Sequence, residues 1–155
     1  MKKTDLAYTA GIIDGEGCIS LSRYGKGDTY YISLSVSVGN TNEWLIQWLK
    51  FSYGGRTILK GGKNRQGKNW KPCWEWIISS NEALDFLRLL YPYLRLKKAQ
   101  TEIAIRFQNA RQTEKRTSPR SNQIKVLEEA DRILMANLNK RGKEVKSGLV
   151  SPETQ

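Results

Sequence analysis

Between Thr29 and Gly39 the chain alternates residue by residue, with Ile32, Leu34, Val36 and Val38 on one parity and Tyr31, Ser33, Ser35 and Ser37 on the other. A period of two puts each set on its own face of a β-strand, so this segment has one side in a core and the other in water. Cys18 to Gly25 alternates in the same way, and the turn Gly25-Lys26-Gly27-Asp28 joins the two runs into a β-hairpin. Helical spacing surrounds the hairpin. Leu6, Ala7, Ala10, Gly11, Ile13 and Asp14 predict a first helix over about residues 4–14, ended by Gly15 and Gly17. A second helix is expected from about Asn42 to Phe51, with Trp44, Leu45, Trp48 and Leu49 as its apolar stripe and Gly54-Gly55 closing it.

A second hairpin is expected from about Arg56 to Ile78. Ser79 with Glu82 fits a capping box for a third helix that Pro92 stops, and two more helices follow near Ala99–Gln112 and Ser121–Asn139. The fold class is therefore α+β: an αββαββα core whose antiparallel, saddle-shaped sheet is backed by helices on one face, with C-terminal helices added. The expected division is a core over residues 1–112, a helical extension over 113–142 and a mobile tail over 143–155.

Composition narrows the chemistry. The chain carries 26 Lys and Arg against 15 Asp and Glu, a formal charge of +11, with 39% apolar and 10% aromatic residues. Disorder requires few aromatics, so this charge sits on a folded surface and implies a polyanionic partner. Histidine is absent and the two cysteines, Cys18 and Cys73, are far apart. Zinc fingers, Ser-His-Asp triads and Cys-His nucleophiles are thereby excluded, leaving carboxylates, amines, hydroxyls or a metal held by oxygen. No apolar run approaches the ~20 residues of a membrane span and no signal-peptide region is evident, so an intracellular protein without a membrane partner is expected.

The charge is local. Arg56, Lys60, Lys63, Arg65, Lys68 and Lys71 fall within the second hairpin with no acid among residues 56–71. Such a segment is either a solvated hairpin or a nucleic-acid surface, and the basic cluster favours the second. A polar sheet face of Ser, Tyr, Arg and Lys suits a major groove, whose base edges present distinct donors and acceptors. Arg95, Lys97 and Lys98 form a second cluster, and residues 106–120 a third. Along the first helix Ala7, Gly11 and Gly15 recur every four residues. That ridge either lets a second backbone approach closely or merely lies beneath the sheet.

The run from Leu6 to Gly17 delivers two carboxylates, Asp14 and Glu16, on a glycine-rich turn of an otherwise basic protein. A carboxylate and a backbone carbonyl there could hold Mg²⁺, although the bare tetrapeptide is also an ordinary turn. The longer run Ala10-Gly11-Ile12-Ile13-Asp14-Gly15-Glu16-Gly17 resembles the LAGLIDADG motif of homing endonucleases. The resemblance extends to about residue 112 through Val38-Gly39-Asn40-Thr41-Asn42, Gly54-Gly55, and the segment from Pro92 to Lys98.

The resemblance implies a site-specific DNA endonuclease that makes metal-dependent double-strand breaks at a pseudo-palindromic target. It assigns Glu16 as metal ligand with the Gly15 carbonyl, for Mg²⁺ with Mn²⁺ or Ca²⁺ as substitutes. Asn40 would help place the water network, and Lys97 would stabilise charge on the transition state or tune the nucleophilic water, with Lys98 the neighbour to distinguish from it and Arg95 neutralising phosphate. A glutamate stands where many relatives have aspartate. Only one motif is present, which implies a homodimer meeting along Ala7, Gly11 and Gly15, with Asp14 bracing the helix ends. Ser20, Ser22, Tyr24, Lys26, Tyr31, Ser33, Ser35, Ser37 and Glu75, with the basic residues of the second hairpin and Lys98, would face double-stranded DNA. Independently of the resemblance, the extension reads first as an amphipathic surface helix, with phosphate contacts from Arg116, Arg120, Lys140 and Arg141 as an addition to that reading. A second reading is a splicing cofactor (maturase) binding its host intron RNA, or a non-catalytic DNA-binding protein on the same scaffold.

Overall fold

The alternating segment is the second strand of a four-stranded antiparallel sheet ordered β1-β2-β4-β3. The computed structural model describes residues 2–27, 29–63, 69–113 and 122–140. The elements run α1 (Lys3–Glu16), β1 (Gly17–Lys26), β2 (Thr29–Asn40), α2 (Glu43–Tyr53), β3 (Arg56–Lys63), β4 (Asn69–Ser79), α3 (Ser80–Leu90), a 3₁₀ turn (Tyr91–Tyr93), α4 (Lys98–Thr113) and α5 (Asn122–Leu138). This is the α+β arrangement that the periodicity predicts. Arg65, Lys68, Arg116, Arg120, Arg141 and the tail lie outside the described residues. No helix among the described residues is long and apolar enough to cross a membrane.

Ile32, Leu34, Val36 and Val38 are buried, as are Ile19 and Leu21 of β1 and Trp76 and Ile78 of β4. Each such aliphatic side chain contributes about 1.5–3 kcal/mol when fully buried. The helices cover this face. Tyr53, Trp76 and Phe86 meet edge to face, with Tyr53–Phe86 centroids 4.9 Å apart and Trp76–Phe86 centroids 5.2 Å apart. Trp76 Nε1 donates to the Gly54 carbonyl at 2.8 Å, fixing the end of α2 on the sheet. Gly55 follows at φ 77°, where an added Cβ would lie 2.5 Å from the Ile77 carbonyl oxygen.

Three local expectations are corrected. The buried residues of α2 are Ile46 and Leu49, while Trp44 is 69% exposed and Leu45 and Trp48 are half-buried. The helix is rotated relative to the predicted stripe because Ile46, Leu49 and Tyr53, spaced by three and four, point at the sheet together. The capping box at α3 does not form, since Ser79 makes no side-chain cap hydrogen bond and Ser80 takes a left-handed φ of 55° between strand and helix. Helix α1 continues through Gly15 to Glu16. The chain turns at Gly17, whose N–H donates to the carbonyls of Ile12 and Ile13.

Candidate active site and nucleic-acid face

The last turn of α1 carries both motif acids, and the structure gives them different surroundings. Asp14 is half-buried, and its carboxylate accepts the backbone N–H of Arg95 at 2.7 Å and that of Lys97 at 2.9 Å. Its carbonyl accepts Lys97 Nζ at 2.5 Å. Asp14, expected as a brace between protomers, is thus engaged by the loop before α4 of its own chain. Glu16 is exposed, and its Oε2 accepts from Asn40 Nδ2 at 3.2 Å. Asn40 is itself oriented, because its Oδ1 accepts the Asn42 N–H at 2.8 Å while the Asn42 side chain caps α2 at the Leu45 N–H. Glu16 and Lys97 line one cleft of about 380 Å³, together with Cys18, Leu96, Gln100 and the end of α5 at Leu138, Asn139 and Lys140.

Lys98 is exposed and directed elsewhere, its Nζ lying 5.7 Å from the centre of the Tyr91 ring. Tyr91 in turn donates to Glu102 Oε1 at 2.5 Å, and that bond holds its phenol above the ordinary range. Arg95 is exposed beside the cleft.

The donor set at the acidic turn is hard. Glu16 offers an exposed carboxylate and Gly15 a last-turn carbonyl, one of those a helix end leaves without an intrahelical partner. Among the described residues no group of three His, Cys, Asp or Glu could by itself hold a metal. One carboxylate, one carbonyl and phosphate oxygens still fit Mg²⁺, which keeps several waters and is usually bound by one or two protein carboxylates plus substrate.

Strand register places the expected contact residues. Ser20 pairs with Ser35, Ser22 with Ser33, Tyr24 with Tyr31 and Cys18 with Ser37, so these side chains share the face opposite the core. Ser37 pairs with Ile77 of β4, and Gly39 with Glu75. Arg56 stands opposite Ile77, and Lys60 opposite Cys73. Arg56, Lys60 and Glu75 therefore extend the serine face across all four strands, whereas Lys71 falls within the register shift between the Lys60–Cys73 and Gly62–Trp70 pairs and has no paired residue that fixes its face. Lys26 continues it at the hairpin end, opposite Thr29. A register shift separates Lys60 from Gly62, and Lys63 follows it.

The face is less uniformly basic than its composition. Lys60 Nζ lies 2.5 Å from Glu75 Oε2, and Ser20 and Ser35 bond each other at 3.0 Å. Ile58 and Ile77 stand among the cations, and Tyr24 stacks on Tyr31 with centroids 5.4 Å apart.

Along α1, Ala7, Gly11 and Gly15 point outward, and a Cβ added at Gly11 or Gly15 would meet nothing within 4 Å. The ridge does not lie beneath the sheet. The sequence did not point to Gln100, Leu138 or Asn139 as cleft residues, and it offered Lys140 only as a contact of the extension. A polar Asn-Lys-Arg run after an amphipathic helix was the sole signal available.

No family model matches the chain, and no curated protein matches it. Solved structures do. The homing endonuclease I-CvuI in complex with its target is 20% identical, over 91% of this chain and 85% of that one, with a TM-score of 0.71. The archaeal intron-encoded homing endonuclease I-Vdi141I complexed with DNA is 18% identical, over 92% of this chain and 89% of that one, with a TM-score of 0.72. The LAGLIDADG homing endonuclease I-GzeII in complex with its DNA target is 12% identical and matches 84% of this chain but 43% of its own, with a TM-score of 0.60.

Proposed function

We propose that this chain, which has the fold of the LAGLIDADG homing endonucleases, is itself a site-specific DNA endonuclease that hydrolyses phosphodiester bonds with a divalent metal, Mg²⁺ by preference. The observation that carries the reading is the cleft where α1 presents Glu16 beside Asn40 and Lys97 at the rim of a polar sheet face. Glu16 and the Gly15 carbonyl would hold the metal. When bound, it supplies Lewis-acid stabilisation of the oxygens that attack and leave phosphorus.

The chain's own groups do the rest. Asn40 donates to Glu16, fixing the direction of that carboxylate, and its position leaves it close to any water ordered there. Lys97 places an ammonium, pre-positioned by Asp14, where negative charge develops on phosphate oxygens. With no histidine in the chain, proton removal from water falls to a carboxylate, an amine such as Lys97, or solvent. Serine hydroxyls and the Tyr24–Tyr31 stack face base edges, while Arg56, Lys71 and Lys26 meet phosphates.

One such site cuts one strand. A double-strand break needs two, and a second copy of the chain docked along Ala7, Gly11 and Gly15 would provide the other, which predicts a two-fold related target. The test is cleavage of duplex DNA spanning the uninterrupted form of the chain's own insertion site, in Mg²⁺. Wild type is expected to break both strands. Glu16→Gln is expected to bind that duplex and leave it intact, and cleavage at the wild-type rate by this variant would sink the assignment.

A further inference from the structure

We infer that the outward face of α5 is a self-pairing surface, on which a second copy of the chain lays its own α5 antiparallel to the first about a two-fold axis at Ala130. The pairing is argued from the helix itself and does not rest on the nuclease reading.

Helix α5 packs on the protomer largely through its polar side. Met135 is buried in the core, and one turn later Asn139 Nδ2 donates to the Ile19 carbonyl of β1 at 2.8 Å. The other anchors are charged pairs: Asp131 with Arg106, and the buried Glu128 with Arg111 Nε at 3.5 Å. The apolar side is left outside. Val126 is 68% exposed, Leu127 66%, Ile133 47% and Leu134 48%, with Ala130 exposed between them. At 3.6 residues per turn these five positions share an arc of about 120° that includes no charged residue of the helix. Val126, Ala130 and Ile133 also border, with Tyr30 of β2, a groove of about 370 Å³.

Pattern, area and charge together select a second copy as the occupant. Ala130 is the midpoint of Asn122–Leu138, and the residues three, four and seven places to either side of it correspond: Leu127 with Ile133, Val126 with Leu134, and Gln123 with Asn137. An isologous contact requires a surface that complements itself under a two-fold rotation. An antiparallel pair meets that requirement here, with Ala130 against Ala130, where small side chains let the helices approach, and aliphatic against aliphatic on both sides. The exposed parts of these side chains come to roughly 500 Å² per copy, within the size of patch that marks a docking surface. Two copies would withdraw about 1,000 Å² from water, the lower bound for a specific interface. The contact is therefore weak and forms at high protein concentration, while the α1 ridge sets the mass in dilute solution. Charge does not oppose it. Although the chain carries +11, the α5 acids Glu128, Glu129 and Asp131 are each engaged by an arginine of their own protomer, Arg111, Arg132 and Arg106. A nucleic acid would need cations on this face, which has none. Combined with pairing along α1, the contact would hold two nuclease dimers in one assembly, a consequence that does rest on the nuclease reading.

Disulfide trapping tests the geometry. Cys18 and Cys73 are the chain's two thiols, so with both replaced by serine a single introduced cysteine reports alone. Ala130→Cys stands at the axis, where two Cβ atoms come within the roughly 4 Å that a disulfide spans. With oxidised glutathione as the oxidant, full-length Ala130→Cys at high concentration is expected to form a covalent pair about tenfold faster than Gln47→Cys, an exposed control on α2. Leu127→Glu should bring that rate down to the control's, and Leu127→Met should keep it. Direction is read from a mixture, in which Val126→Cys should join Leu134→Cys in preference to itself. Equal rates for Ala130→Cys and Gln47→Cys overturn the proposal. So does cosedimentation of the chain with phosphatidylcholine vesicles that Leu127→Glu abolishes, because it would assign the face to a lipid surface. Val126→Cys joining itself fastest overturns the antiparallel arrangement. None of these measurements uses DNA or metal, so their failure leaves the nuclease reading standing, and cleavage by Glu16→Gln would leave the pairing standing.

Discussion

Lys97 is bound twice by one residue, through its backbone N–H to the Asp14 carboxylate at 2.9 Å and through Nζ to the Asp14 carbonyl at 2.5 Å. Asp14, which lines the same cleft as Glu16, therefore positions the cleft's cation. Asp14→Ala leaves the N–H groups of Arg95 and Lys97 without their acceptor, and hydrogen bonds to charged groups contribute about 1.5–3 kcal/mol each. The expected result is a loss of stability of about 3 kcal/mol in urea denaturation, the lower end for two such bonds, and a fall in cleavage of roughly a hundredfold from misplacement. Because both residues act as one unit, Asp14→Ala and Lys97→Ala should combine with far less than additive loss in a double-mutant cycle.

Gly17 is needed for room, not for backbone freedom. Its φ of −72° suits any residue, yet a Cβ there would lie 2.8 Å from both Cα and O of Ile13. Gly17→Ala should cost about 1–3 kcal/mol and displace Glu16, since the helix end must move to admit the methyl group. Thermal denaturation together with Mg²⁺-dependent cleavage would show both effects. A variant as stable and as active as wild type would contradict the packing argument.

The strands were legible because Ile32 to Val38 alternate with serines, and a period of two leaves one answer. Helix α2 was not, because apolar residues at 44, 45, 46, 48, 49, 51 and 53 surround it almost completely. Periodicity then selects no face, and only the sheet decides that Ile46 and Leu49 go inside. Asp14 and Glu16 were legible as a pair of acids, but which of them is tied down and which stays exposed depends on loop N–H groups about 80 residues away. The same limit applies more strongly to Asn139, whose partner Ile19 is 120 residues distant.

Glu129 couples α5 to acid. Two hydrogen bonds from Arg132, at 2.6 and 2.9 Å, hold its carboxyl below the ordinary value of 4.5, with burial opposing and the charges of Arg132 and Arg23 assisting. A depressed folded pKa contributes stability that is present above the unfolded pKa and lost as pH falls through the folded one. Unfolding free energy should therefore decline on the acid side of about pH 4.5, and Glu129→Gln should show a shallower decline. Identical acid profiles for the two proteins would exclude the coupling.

Tyr24 and Tyr31 are the exposed aromatic pair of a face otherwise rich in hydroxyls, stacked with an interplanar angle of 21°. Ring edges contact the C5 methyl of thymine well, and loss of one specific base contact costs about 1–3 kcal/mol. Binding-site selection from randomised duplexes should enrich thymine at one position per half-site. Replacing that thymine by uracil should weaken wild type and leave Tyr24→Ala unaffected. Enrichment unchanged in the variant would assign the preference to other residues.

Gly11 and Gly15 carry a cost that the protomer alone does not explain. Glycine in a helix interior is destabilising by roughly 0.5–1 kcal/mol relative to alanine, and a Cβ at either position would stand in open space. Bare backbone on an exposed ridge is useful only if another backbone approaches it. Gly11→Leu should accordingly leave the folded protomer intact or more stable while preventing the α1 helices of two copies from meeting. Sedimentation would then show a species near 17.8 kDa where wild type shows about twice that mass. DNA cleavage should pass from double-strand breaks to none or to single-strand nicks, because each remaining site faces one strand. A wild-type chain that sediments as a monomer with and without DNA, or a Gly11→Leu variant that still dimerises, would remove the ridge from the interface.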